Sequence, residues 1–163
     1  MKKKLLFSIF VSILLISNVF AAGSGDSGSS KTRTQYDMAV SHINAAKKFE
    51  KNDKLKKAKK RYEKAQKLLI QSNEKFPNKA NTLNYLGFTT RKLGDYENGE
   101  KYYLQGLAID PNHKGINEYL GELYVATNRH NLAVERLEVL KNCNCKEYED
   151  LKAIIAGEKV SKY

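Results

Sequence analysis

The chain has 163 residues, of which 41% are hydrophobic and 10% aromatic, leaving room for one folded domain with a modest core and excluding a large multidomain assembly. Its formal net charge of +11 is local. Three of the lysines fall in the first four residues, and Lys47 to Lys67 hold eleven Lys/Arg against Glu50, Asp53 and Glu63; the rest of the chain carries fifteen charges of each sign.

Met1-Lys2-Lys3-Lys4, the apolar run Leu5 to Val19 and the sequence Val19-Phe20-Ala21 have the basic start, short greasy middle and small residue of a secretory signal. The expected cleavage follows Ala21, giving a signal peptide over 1–21 and a product exported to a bacterial periplasm. The run is short for a bilayer span, which needs about 20 residues, and no cysteine follows it to carry a lipid. The alternative is a signal retained as an anchor. Ala22 to Thr34 is small, polar and aperiodic, as expected of a flexible linker over 22–34.

From residue 35 the pattern is helical, and 35–163 is expected to form one all-α domain. Tyr36, Ala39, Val40, Ile43, Ala46 and Phe49 recur at steps of three and four, placing them on one face of a helix that ends near Asn52. Asp53 is expected to cap a second helix, with Leu55, Ala58, Tyr62, Ala65, Leu69 and Ser72 as its buried stripe and Phe76-Pro77 as its stop. The opposite face is basic, with Lys54, Lys56, Lys57, Lys60, Arg61 and Lys64. Such a patch can dock on anionic lipid or an acidic polymer; the competing reading is a solvated helix face in a lysine-rich chain of 24 Lys and 5 Arg. Export argues against nucleic acid.

The next helix is expected from about Lys79 to Leu93 with Leu83, Leu86, Thr90 and Leu93 buried, followed by a left-handed turn at Gly94 and a cap at Asp95. Gly99 and Gly106 lower the propensity of the following helix by about 1 kcal/mol each, so both are expected where helices approach closely. Counting 34 residues from Leu86-Gly87 reaches Leu120-Gly121, and counting 34 back from Pro111 reaches Pro77. With Tyr103 in a bulky position and Asp110-Pro111 as the close, the chain resembles the tetratricopeptide repeat family. The segment Glu118 to Tyr124, the paired cysteines and Glu147-Tyr148 with Leu151 are also similar to a group of small exported bacterial repeat proteins.

The resemblance implies a TPR-like α-solenoid of about three hairpins plus a C-terminal capping helix. Repeat 1 covers about 35–77 and is degenerate, with Asn52-Asp53 where Leu-Gly would stand. Repeat 2 covers 80–113, repeat 3 covers 114–145 with Asn128 in the glycine position, and the capping helix covers about 146–157. The total is seven helices. By the same resemblance the inner helices line a groove for a partner peptide or helix. Its candidate contacts are Asn81, Asn84, Phe88, Arg91 and Lys92 in repeat 2, and Glu118 and Glu122 in repeat 3, where Gly115, Val125 and Ala126 offer little. Asn84, Arg91 and Lys92 suit a peptide carboxylate, whereas Glu118 and Glu122 oppose an anion, so a mixed-charge partner fits better. Arg91 could instead form an exposed pair with Glu118 or Glu122, contributing little.

Cys143-Asn144-Cys145 is a candidate disulfide in an oxidising compartment. Its loop is too small to remove much unfolded-state entropy, and a thiol-exchange role is a less favoured alternative. His113 and His130 are too few to complete a zinc site. No nucleophile with a base, phosphate loop or metal-spaced carboxylate pair stands out. The expectation is a non-catalytic scaffold with no metal and no cofactor, whose partner is a protein.

Overall fold

The structure is a computed structural model describing residues 33–161. The expected signal peptide and most of the expected linker lie outside those residues. Seven helices follow in order: α1 (Gln35–Lys51), α2 (Leu55–Lys75), α3 (Ala80–Lys92), α4 (Tyr96–Ile109), α5 (Lys114–Ala126), α6 (His130–Leu140) and α7 (Lys146–Ile155). The fold is all-α. The helices α1 and α2, α3 and α4, and α5 and α6 pair as hairpins, and α7 packs against α5 and α6. No helix among the described residues is long and apolar enough to cross a membrane.

Local chemistry sets the boundaries. Thr34, expected in the flexible linker, instead caps α1: its hydroxyl accepts from the Asp37 N–H while the Asp37 carboxylate accepts from the Thr34 N–H. This reciprocal box satisfies two otherwise orphaned donors. The three hairpin turns share one device, a left-handed residue followed by an N–H that reaches back five residues. Asp53 (φ 54°), Gly94 (φ 97°) and Asn128 (φ 59°) hold the left-handed place. The accompanying bonds run from Lys54 N to Phe49 O, Asp95 N to Thr90 O and Arg129 N to Tyr124 O. Such a bond closes the orphaned carbonyls of a helix C-terminus.

The shared turn corrects the expectation for Asp53. Because Asp53 occupies the place that Gly94 holds in the next hairpin, the cap position of α2 falls to Lys54, which makes no side-chain cap bond. Asp95, one residue past its glycine, does cap α4 by accepting from the Asn98 N–H at 3.1 Å. Leu55 is corrected as well. Standing in the first turn of α2, it is 61% exposed rather than part of the buried stripe, which begins at Ala58.

Two core clusters run through the array. Ala39, Ile43, Ala46, Ala58, Tyr62, Ala65 and Leu69 join Leu83, Leu86 and Phe88 in the first; Tyr103, Ile116, Leu120, Leu123, Tyr124 and Ala133 form the second. Small residues permit the close crossings. A Cβ on Gly99 would lie 3.2 Å from both the Arg91 Cβ and the Gly87 carbonyl oxygen, and one on Gly106 would collide with Ile116 Cδ1. The helix-propensity loss at both glycines therefore coincides with tight packing.

Candidate functional site

Counting back six residues from each left-handed turn gives Lys47 on α1, Phe88 on α3 and Glu122 on α5. The three inner helices thus present cation, ring and carboxylate at equivalent positions. These residues line a cavity of about 1100 Å³, bordered by α2 on one side and by α7 with the following tail on the other. A second cavity of about 660 Å³ adjoins it, and Glu118, Tyr119 and Glu147 line both. Together they make one groove along the inner helices.

Arg91 is the fixed point of the groove floor. Its side chain is 0% exposed, and Nη2 lies 3.2 Å from Glu122 Oε2, while Nη1 donates to the Tyr119 carbonyl. The guanidinium carbon also lies 5.9 Å from the centroids of Phe88 and Tyr103 and 5.6 Å from that of Tyr119. The exposed, weak pair expected from sequence is therefore a buried one, because aromatic rings from three helices exclude water from it. Beside it, Lys92 Nζ is 2.6 Å from Glu50 Oε1, and the Tyr62 hydroxyl donates to Glu50 Oε2 at 2.8 Å. Most floor charges are thus matched within the protein.

Lys47 and Glu118 are set differently. Lys47 Nζ sits 4.6 Å above the Phe88 centroid and donates to the Tyr119 hydroxyl at 3.3 Å. Burial holds the Lys47 ammonium below the usual lysine range, with Glu118, Glu122 and Glu50 opposing the shift. Burial pushes the Glu118 carboxyl up to about 8, reinforced by Glu122, Asp150 and Glu147. Burial also raises Glu122, and Arg91 is the largest influence pulling it back.

The other candidates divide between the two cavities. Phe88, Arg91, Lys92 and Glu122 line the larger, whereas Asn81 and Asn84 line the smaller. Asn81 is exposed and its Oδ1 lies 2.8 Å from His113 Nε2. His113 Nδ1 accepts from the Ile116 N–H at 3.1 Å, so Nε2 carries the proton and donates to Asn81. Asn84 is buried, with Oδ1 lacking any hydrogen-bond donor. Gly115 lines the smaller cavity too, while Val125 and Ala126 line neither.

On the basic face, Lys54, Lys56, Lys57, Lys60 and Lys64 are exposed, and none forms an ion pair with a described residue. Arg61 differs, because it is half-buried against His42 Nδ1 at 3.0 Å. Lys56 also borders the larger cavity, linking the basic face to the groove rim. Cys143 and Cys145 are joined by a disulfide in the α6–α7 turn, with Cα atoms 5.2 Å apart and Asn144 between them at φ 44°. Among the described residues, no group of three or more His, Cys, Asp or Glu side chains is placed to hold a metal ion.

Sequence reasoning missed Lys47, Glu50, Tyr119 and the contribution of α7. Lys47 was findable, since it stands six residues before its turn as Phe88 does. Glu147 and Asp150 were not, because no repeat frame extends to a capping helix.

The hairpin array is a helical-repeat fold, and one segment of it carries a tetratricopeptide pattern. Residues 80–113 match the family model described as tetratricopeptide repeat. The fold is similar to the first TPR of Spaghetti (RPAP3) bound to the HSP90 peptide SRMEEVD, at 15% identity over 80% of this chain and 99% of that one, with a TM-score of 0.53. It is also similar to the Yersinia enterocolitica type III secretion translocator chaperone SycD in an alternative dimer, at 16% identity over 74% of this chain and 88% of that one, with a TM-score of 0.53. At these identities the likeness is one of fold. No curated protein matched the chain.

Proposed function

We propose that this protein is an exported, non-catalytic scaffold that holds a partner's polypeptide segment in the groove formed by α1, α3 and α5. The observation that carries this reading is the groove itself: a cavity of about 1100 Å³ with an aromatic floor and charges of both signs on its walls. Clefts of that size, with a few placed polar groups, are suited to ligand capture. The Spaghetti structure contains a bound HSP90 peptide, which supports the same use of the fold here. A periplasmic address rests on the Met1 to Ala21 pattern, and the Cys143–Cys145 disulfide suits an oxidising compartment.

The test is site-specific photocrosslinking in cells, with the reactive group placed at Asn81 in the groove and, for comparison, at exposed Gln105 on α4. The reading expects discrete adducts from the first position that the second does not give. Identical adduct patterns from both would sink it. Fusion of residues 1–34 to alkaline phosphatase tests the address, and an inactive fusion argues against export.

A second reading is favoured by the unpaired lysines of α2, namely docking of the basic face on anionic lipid. Sedimentation with anionic vesicles should then fall steeply as salt rises. Absence of binding at low salt excludes it.

A further inference from the structure

Arg91 pairs with Glu122, Lys92 with Glu50, and Lys146 and Lys159 both with Asp150. Glu118 differs from these groups. It is only 8% exposed, yet its side chain makes no hydrogen bond or ion pair with any described residue, and it faces both cavities. Buried carboxyl groups are almost always paired.

A second observation comes from the neighbouring inner helix. Asn84, equivalent to Glu118 one repeat earlier, is 7% exposed, lines the smaller cavity and keeps Oδ1 without a donor. Gly115, one turn before Glu118, leaves room for that amide: a Cβ there would lie 2.9 Å from Asn84 Nδ2. Glu147 borders both cavities and Asp150 the larger one. The nearest cations are engaged elsewhere, Lys146 with Asp150 and Lys47 with the Tyr119 hydroxyl, so none of them donates to Glu118. Beside it, the half-buried ring of Tyr119 borders both cavities and packs against the buried Phe88 with centroids 5.0 Å apart, an apolar surface suited to an aliphatic stem.

We propose that Glu118, backed by Asn84, receives a lysine or arginine side chain of the segment held in the groove, its stem lying along Tyr119. The proposal rests on the reading of the groove as a polypeptide site and names the chemistry of its occupant. An ammonium or guanidinium supplies the missing donors and charge, and its stem can lie on apolar surface while its head is paired. An acidic side chain would meet Glu118 and Glu147 and be repelled, Asp150 being matched by Lys146 and Lys159.

Recognition of this kind carries a proton signature. With the groove empty, Glu118 titrates at about 8 and is mostly protonated at neutral pH. An incoming cation favours the carboxylate, so binding releases a proton. The charged groups facing Glu118 are Glu122 on its own helix, Lys146, Glu147 and Asp150 on α7, Arg91 on α3 and Lys47 on α1. Lys47 is held by the Tyr119 hydroxyl and the Phe88 ring, leaving Glu118 to a cation from outside.

The experiment is selection of a random heptapeptide library displayed on phage against the immobilised full chain at mildly alkaline pH, followed by titration of one selected synthetic peptide. The expected result is a shared lysine or arginine at one position and binding at least tenfold weaker to Glu118→Gln. The Kd for the wild type should fall by up to about tenfold per pH unit between pH 6 and 8, as expected for release of one proton, and that dependence should vanish in the variant. Circular dichroism checks that the variant is folded. Selection against Glu118→Lys should exchange the basic position for an acidic one. Selected peptides without a shared basic residue, or a basic preference retained in Glu118→Gln, overturn the proposal while leaving the groove reading intact. Failure to select any peptide overturns both.

Discussion

Arg91→Ala would remove the cation from a pair whose side chains are 0% and 9% exposed. Breaking a buried pair from one side costs about 3–5 kcal/mol, because the remaining charge keeps its desolvation penalty without compensation. The lower part of that range applies here, since burial already holds the Glu122 carboxyl above its usual range and the orphaned group can take up a proton. Against a typical domain stability of about 5–15 kcal/mol, the loss is severe. For a domain of this size it lowers Tm by about 10–15 °C. The assay is thermal unfolding by far-UV circular dichroism, with Arg91→Ala, Glu122→Leu and the double variant Arg91→Met/Glu122→Leu measured together. The double variant replaces both charges with apolar volume and should lie within about 1–2 kcal/mol of the wild type. A loss below about 1 kcal/mol in Arg91→Ala, the range of a surface pair, would refute the argument. So would a double variant as unstable as the summed single changes.

Glu118→Gln should stabilise the protein at alkaline pH. The folded-state carboxyl titrates at about 8 against an ordinary value of 4.5, so between those values the folded state binds more protons and stability falls as pH rises. The slope is at most about 1.4 kcal/mol per pH unit for this one group; urea melts at about pH 5 and pH 8 should show a steeper fall in the wild type than in the variant, which keeps the raised Glu122. Gly87→Ala would place a methyl 2.5–2.8 Å from three ring atoms of the fully buried Tyr103. Overpacking of about 1–3 kcal/mol should exceed the roughly 1 kcal/mol gained in helix propensity, and a Tm above that of the wild type would contradict this. Reduction of Cys143–Cys145, which span a separation of 2 residues, should lower Tm by only a few degrees, because so short a loop removes at most about 1–2 kcal/mol of unfolded-state entropy. A drop above about 10 °C in a melt with reductant would show that the turn anchors α7.

The sequence exposes what local chemistry decides. Gly94, Asp95 and Asn128 mark turns through φ and capping alone, and the helical stripes of α1 and α2 follow from spacing. Asp53 misleads because a capping residue and a left-handed residue draw on the same short list of side chains, and only the shared five-residue bond separates the two roles. The burial of Arg91 is not local at all: Phe88 lies on its own helix, but Tyr103, Tyr119 and Glu122 come from later elements that no window around residue 91 contains. Glu118 is similar, since its raised titration rests first on burial and then on Glu122, with Asp150 and Glu147 added from a helix outside the repeat frame.

The lysine face of α2 has a kinetic consequence. Because Arg91, Lys92, Glu50 and Glu122 are matched within the groove floor, exposed lysines such as Lys56 and Lys59 at the rim dominate the field an approaching partner meets. Such a field acts on encounter more than on residence. Added salt should therefore slow association with an acidic-flanked segment while leaving its dissociation rate nearly unchanged. The approach to the groove and the hold within it are governed by different residues.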